Sequence, residues 1–349
     1  RRVLFRSQVD VRAVNPECYG AALQYFTGSK EHNVHLRTIA RKRGLKINEY
    51  GVFRGNRMLG GRTEEDVYRL LKMPVMPPEM REDHGEIEAA LQRRLPKIIE
   101  PGQLRGDLHV HSDWSDGRAT IEEIIQEAAR LKYDYVAITD HSPAARVANG
   151  LDRKRFDAKM RQIERLRQRS EKQGLRLLFG AEVDILSGGE LDYPDDLLGQ
   201  LDVVIASIHS SFRQNRDRMT GRVLDAMSNP AVHILGHPMS RLIGSRPEVD
   251  LDYERVFRRA ADAQIAMEIN GSPLRLDLND ALTRNAREAG VLLCIGSDAH
   301  SIPQMEYVRF GVYVARRGWV SGGSVVNTWP WARLHRWLVR RLEASAKAS

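Results

Sequence analysis

From Leu104 onward, short apolar runs rich in β-branched residues recur along the chain: Leu108–Val110, Tyr135–Thr139, Leu175–Phe179, Val203–Ser207, Val232–Leu235, Ile265–Ile269 and Val291–Ile295. Between most of them lie stretches with apolar residues at helical spacing, such as Ile121–Lys132, Lys154–Gln173 and Leu278–Ala289. Strands alternating with helices predict a parallel sheet, because a parallel neighbour is reached only through a long crossover. Seven strands in roughly 200 residues fit a distorted, seven-stranded TIM-like β/α barrel better than a doubly wound sheet.

Residues 8–80 follow another pattern, that of a small α+β unit. A strand is predicted over Val9–Arg12 and a helix over Tyr19–Phe26, followed by a basic helix through Arg37, Arg41 and Arg43. Pro74, Pro77 and Pro78 end this unit, since none can continue a helix. Residues 81–103 read as a linker closing on the breaker pair Pro101-Gly102, residues 104–342 as the barrel, and residues 343–349 as a tail. Trp329, Trp331 and Trp337 predict a final helix packed on the barrel.

Composition changes this picture little. With 42% hydrophobic and 29% charged residues the chain is ordinarily globular. No apolar stretch is long enough to cross a bilayer. Cys18 and Cys294 stand alone, without metal-type spacing, which points to a reduced, cytoplasmic protein. The opening residues 1–7 read as a translated adapter oligonucleotide, a non-native scar. Without its three arginines the formal charge falls from +8 to +5, a mild basic excess compatible with an acidic partner.

The chemistry gathers at the ends of the predicted strands. Asp107-Leu108-His109-Val110-His111 places two histidines at i and i+2, hence on one face of a strand, with Asp116 in the loop beyond. Later strands end in Asp140-His141, Glu182-Val183-Asp184, His209, Gly236-His237-Pro238 and Asp298-Ala299-His300. In a β/α barrel all carboxyl strand ends converge on one mouth. His109, His111, Asp116, His141, Glu182, His209, His237, Asp298 and His300 would therefore share one cleft. Such a mixed nitrogen and oxygen set suits zinc, manganese or iron rather than calcium. Asp107, Asp140 and Asp184 stand beside these ligands and are expected to orient imidazoles through their N–H groups.

In this order the motifs resemble those of the PHP (polymerase and histidinol phosphatase) superfamily, over about residues 104–337. The resemblance implies three divalent ions. The first would be held by His109, His111, Glu182 and Asp298, the second by Glu182, His209 and His237, and the third by Asp116, His141 and His300. The upstream segments Val9-Asp10-Val11-Arg12, Leu23-Gln24-Tyr25-Phe26-Thr27-Gly28-Ser29 and Gly44-Leu45-Lys46-Ile47-Asn48-Glu49-Tyr50 resemble the end of the palm and the thumb of a family X DNA polymerase. Bacterial members carry a PHP domain after the polymerase, so the chain resembles one truncated at its amino end. This implies that Asp10 is a remnant polymerase carboxylate. It also implies that Tyr25, Phe26 and Gly28 face the nucleotide sugar, and that Asn33 and Arg37 touch the DNA minor groove. Nucleotidyl transfer, which uses magnesium in the intact parent, needs carboxylates and a triphosphate loop that this chain lacks.

The expected activity is that of a DNA phosphoesterase working on gapped, nicked or single-stranded 3′ ends: 3′–5′ exonuclease, abasic-site cleavage and 3′-phosphate removal. Glu182, His209 and His237 would be central to forming a metal-activated hydroxide that attacks phosphorus. Arg146, Asn149, Arg241, Asn270 and Arg275 stand in loops after the strands and are candidate contacts to substrate phosphate. The alternatives are a small-molecule phosphatase of the histidinol-phosphate kind and a non-catalytic scaffold for a polymerase.

Overall fold

The computed structural model describes residue 9 and residues 11–346. It divides into two compact units between Pro96 and Lys97. Asp10, the residues 1–7 expected to be a scar, and residues 347–349 of the expected tail lie outside the described residues.

In the first unit, helices α1 (Tyr19–Phe26) and α2 (Lys30–Lys42) precede an antiparallel sheet of β1 (Lys46–Asn48), β2 (Gly51–Arg54) and β3 (Arg57–Gly60), then α3 (Glu64–Leu70) and α4 (Glu86–Leu91). Ser29 caps α2, and Thr63 with Asp66 forms a capping box on α3. Ala21, Leu36, Val52, Val67, Leu71 and Ile87 fill the core. Two expectations need correction. Val9 and residues 11–15 carry no strand, because a short alternating run becomes one only where a neighbour supplies the ladder. The expected linker 81–103 is not a separate segment. Its near end packs into the first unit, where Arg81 pairs with Glu64 at 2.5 Å, Glu86 with His32 at 2.5 Å, and Ile87 joins the core. Its far end belongs to the second unit, where Ile99 N–H donates to Val320 O.

The second unit is the barrel. Its strands are β4 (Gly106–Val110), β5 (Tyr135–Ile138), β6 (Arg176–Asp184), β7 (Val203–Ser207), β8 (Ile234–Leu235), β9 (Ala266–Asn270) and β10 (Leu292–Gly296), in that spatial order and all parallel. The helices are α5 (Ile121–Arg130), α6 (Arg153–Glu171), α7 (Asp195–Leu198), α8 (Arg216–Ala226), α9 (Tyr253–Ala263), α10 (Asp280–Glu288), α11 (Val308–Arg317) and α12 (Trp331–Ala346). Asp152, Asn215, Asp252 and Asn279 each cap the start of a barrel helix.

Between β10 and β4 the barrel is nearly closed. At the carboxyl ends, His111 N–H donates to Ala299 O and Asp298 N–H to His109 O. At the other end the buried Asn327 side chain donates to Gly106 O and Ile295 O and accepts from Ile295 N–H. One amide thus stands in for the missing ladder, which is why it can be buried at no net loss.

The lumen has two layers. Leu108, Ala137, Leu178, Ile205, Ile234, Ala266 and Cys294 form an apolar floor, sealed by Trp329, Leu334, Trp337 and Leu338 of the C-terminal segment. A register irregularity between Asp107 and Val110 lets β4 serve both layers. Leu108 joins the floor while Val110 joins the outer core against the helices, so the alternation breaks and His109 turns inward. Bulges re-aim side chains in this way beside functional sites. Among the described residues, no helix is long and apolar enough to cross a membrane.

Candidate metal centre

Above the floor, the strand ends bring all nine expected ligands together. Glu182, at 1% exposure, sits among them near the end of β6. Its Oε1 lies 2.8 Å from His237 Nε2 and 3.3 Å from His209 Nε2. Its Oε2 lies 3.4 Å from His109 Nε2, 3.5 Å from His111 Nε2 and 3.1 Å from His141 Nδ1. One carboxylate therefore faces two sets of imidazoles, one with each oxygen. Asp298 Oδ1 lies 3.2 Å from His111 Nε2, and Asp116 reaches His300 at 3.3 Å and His141 at 3.6 Å.

Three groups have ligand atoms within 4.8 Å of one another: His109, His111, Glu182 and Asp298; His111, Asp116, His141 and His300; and His141, Glu182 and His209. His111 and His141 each belong to two groups, a sharing that the family assignment does not include. Whether these residues suit metal ions can be tested on their hydrogen bonds. His109 Nε2, His111 Nε2, His141 Nδ1, His209 Nε2 and Glu182 Oε2 are buried with no hydrogen-bond partner. Buried polar atoms are rarely left so, and here they all face one space. The nitrogen and oxygen donors fit zinc, manganese or iron.

Charges of both signs crowd the same space and shift one another. Burial disfavours charge on His109, yet Glu268, Glu182 and Asp298 outweigh it and raise its pKa well above the imidazole range. Burial also opposes charge on His209, but Glu182 and Asp184 raise it to about 10. His111 goes the other way, pressed to about 3 by burial and by His300 and His141. Glu182 overcomes its burial through His209, His109 and His141 and stays well below the carboxylate range. Two candidate ligands also hold unusual backbone, with φ of 25° at His237 and 53° at Asp298. Non-glycine residues persist there only where surrounding structure enforces it.

The outer partners differ from expectation. Asp184 does contact one of the imidazoles, with Oδ1 3.2 Å from His209 Nδ1. Asp107 instead accepts the backbone N–H of His109 and of Ser297, and Asp140 binds Ser112, Ser115 and Lys159. The residue that sequence reasoning missed is Glu268, whose Oε1 lies 2.6 Å from His109 Nδ1 and whose Oε2 accepts from His237 N–H. A lone charge inside the apolar run Ile265–Ile269 was the available signal, since a buried charge needs partners.

The cleft above the ligands has a volume of about 370 Å³, and its lining includes Arg146, Val147, Ser210 and Arg275. Arg275 Nε lies 3.2 Å from Asp298 Oδ2. The other three candidate phosphate contacts bond within the chain, Asn149 from an exposed position. Asn149 donates to Ser115 O, Arg241 donates to the carbonyls of Arg275 and Leu276, and Asn270 donates to Glu268 and Asp298.

In the first unit, Phe26 is exposed while Asn33 is buried, donating to the carbonyls of Tyr25 and Ser29. Arg37 donates to Asn33 O and lies over the Tyr25 ring. Gly28 has a backbone reason of its own, a φ of 91° and a position where a Cβ would meet Arg81 at 2.5 Å.

Comparison with known proteins places both units. The DNA polymerase beta thumb family model matches residues 22–82, and the PHP domain model matches residues 107–272. DNA polymerase/3′-5′ exonuclease PolX of Bacillus subtilis (strain 168) is 40% identical over 325 residues, or 93% of this chain, which spans 56% of that relative's length. A probable phosphatase of Thermoanaerobacter sp. (strain X514) is 31% identical over 64% of this chain and 89% of its own. A solved histidinol phosphate phosphatase from Lactococcus lactis subsp. lactis Il1403 covers 60% of this chain and 93% of its own, at 18% identity and a TM-score of 0.43. With a thumb and a PHP barrel in one chain, and 40% identity running through both, the chain belongs to the family X DNA polymerases that carry a PHP domain.

Proposed function

We propose that this chain is a metal-dependent phosphoesterase that shortens DNA from its 3′ ends, in the cytoplasm, as the processing activity of a repair polymerase. The observation that carries this reading is Glu182, which offers one oxygen to His209 and His237 and the other to His109, His111 and His141. Ions would be held by His109, His111, Glu182 and Asp298, by Glu182, His209 and His237, and by Asp116, His141 and His300. When bound, such ions acidify a water and neutralise charge growing on the phosphoryl oxygens.

The chain's own groups supply the rest. Glu268 and Asp184 hold Nδ1 of His109 and His209, which keeps each Nε2 turned to the centre. Arg146, exposed on the rim of the cleft, is placed to pair with a backbone phosphate. The basic helix α2, with Arg37, Arg41 and Lys42, and the adjoining Arg43 and Lys46 supply sequence-independent attraction to the DNA backbone.

Single-stranded DNA labelled at either end, incubated with Mn²⁺, tests this. The wild type is expected to give stepwise 3′ shortening that the H209A/H237A double variant abolishes. A second reading, a small-molecule phosphatase, is favoured by the 31% identical probable phosphatase. Turnover of a phosphate monoester with intact DNA in the same tube would decide for it. The scaffold reading is disfavoured by the buried ligand atoms without partners, a costly arrangement in a silent domain.

A further inference from the structure

Lys159 of α6 is 1% exposed, an uncommon state for a lysine. Its Nζ lies 2.8 Å from Asp140 Oδ2 and donates to Ile138 O at 3.0 Å and Gly180 O at 3.3 Å. Those contacts use all three ammonium donors. Asp140 is equally saturated. Its Oδ1 accepts from Ser112 N–H at 2.8 Å and Ser115 Oγ at 2.6 Å, and its Oδ2 accepts from Ser112 Oγ at 2.7 Å. Ser112 follows His111, Ser115 precedes Asp116, and Asp140 precedes His141. Three of the four members of the His111, Asp116, His141 and His300 group are thus chain neighbours of residues tied to one carboxylate.

We propose that Lys159 is a positioning residue for the ion held by Asp116, His141 and His300. By pinning Asp140 it locks the 112–116 turn to the end of β5. The inference rests on the metal reading above and says which residue outside the ligand set acts most strongly on one ion, because three of that group's four members adjoin the Asp140 network and only one member of each other group does. A neutral side chain at 159 leaves Asp140 buried without its counter-charge, so the carboxylate shifts and the turn loosens. His109, Asp298 and His209 have separate supports in Glu268, Asn270 and Asp184.

The test is Mn²⁺ titration of the metal-stripped full chain by calorimetry, with elemental analysis of ions per chain, for wild type and K159M. One class of site should weaken about 10–100-fold, the cost usual for losing an outer partner. The other classes, which share only His111 or His141 with it, should weaken far less, and kcat should return at saturating Mn²⁺. Unchanged affinity at every class, or equal loss at all, would overturn the proposal. If K159M does not fold, S115A removes one donor to Asp140, together with a longer 3.4 Å contact to Asp116. It should weaken the same class by a smaller factor at an unchanged melting temperature, and wild-type affinity there would equally overturn it. A wild type that binds no Mn²⁺ at all would instead sink the metal reading on which this rests.

Discussion

At the amino ends of the barrel strands the lumen holds Leu108, Ala137, Ile205, Ile234 and Cys294 against Trp337 and Leu338. At the carboxyl ends of the same strands it holds His109, Glu182, Asp298 and their partners. In the floor the polar atoms are paired: Tyr135 Oη donates to Trp329 O, Trp337 Nε1 to Gln264 O and Trp329 Nε1 to Gly323 O. In the mouth seven side-chain atoms of the candidate ligands are buried without a hydrogen-bond partner. The contrast teaches how one set of strands carries both stability and chemistry. The sealed apolar floor offsets what the crowded, desolvated mouth costs.

If the layers divide labour in this way, variants should separate them. The largest expected effect is Glu182→Gln, which removes the charge shared by two ligand sets. Turnover on labelled DNA should fall about 10⁴-fold, roughly 5 kcal/mol of barrier, with an unchanged far-UV spectrum. A variant that kept its rate would end the idea that Glu182 organises the mouth. Trp337→Ala attacks the floor. Denaturant unfolding should show about 3–5 kcal/mol lost, while the folded fraction binds Mn²⁺ with wild-type affinity.

Asp277 lies near the mouth, where its Oδ1 accepts Met239 N–H, and burial raises its pKa to about 7. The folded state therefore holds a proton that the unfolded chain releases near pH 4, so this group costs stability as pH rises from about 4 to about 7. Asp277→Asn removes that slope. The variant should gain on the wild type between pH 4 and pH 8, by at most about 4 kcal/mol, and a pH-independent difference would refute the assignment. The smallest effect is expected outside both layers. Thr120→Ala breaks the capping box of α5 and should cost about 1 kcal/mol, with neither rate nor metal affinity altered.

Much of the barrel was legible because its signals are local. Each strand run was read within a few residues, and each ligand stood at a strand end beside a loop. The convergence of those ends then followed from the topology alone. The thumb helix expected around Tyr19 to Phe26 is present there, whereas the three-stranded sheet after it is not legible from its short strands. Glu268 was passed over because a strand run rich in Ile and Met hides one charge until its partner is known. The roles of Asn327 and Lys159 were invisible for the same reason, since their contacts lie 221 and 21 residues away in the chain.

What the sequence by itself determined is the parallel β/α order, the metal-capable residue at nearly every strand end, and a thumb-like segment ahead of them. Those are properties of neighbours along the chain, set by side-chain periodicity and residue chemistry. Only the tertiary structure decided which oxygen of Glu182 faces which imidazole, where the register of β4 breaks so that His109 turns inward, and which buried carboxylates hold the histidines. Those depend on groups brought together across the barrel by burial, and a buried charge or imidazole takes its behaviour from what it touches rather than from where it stands in the chain.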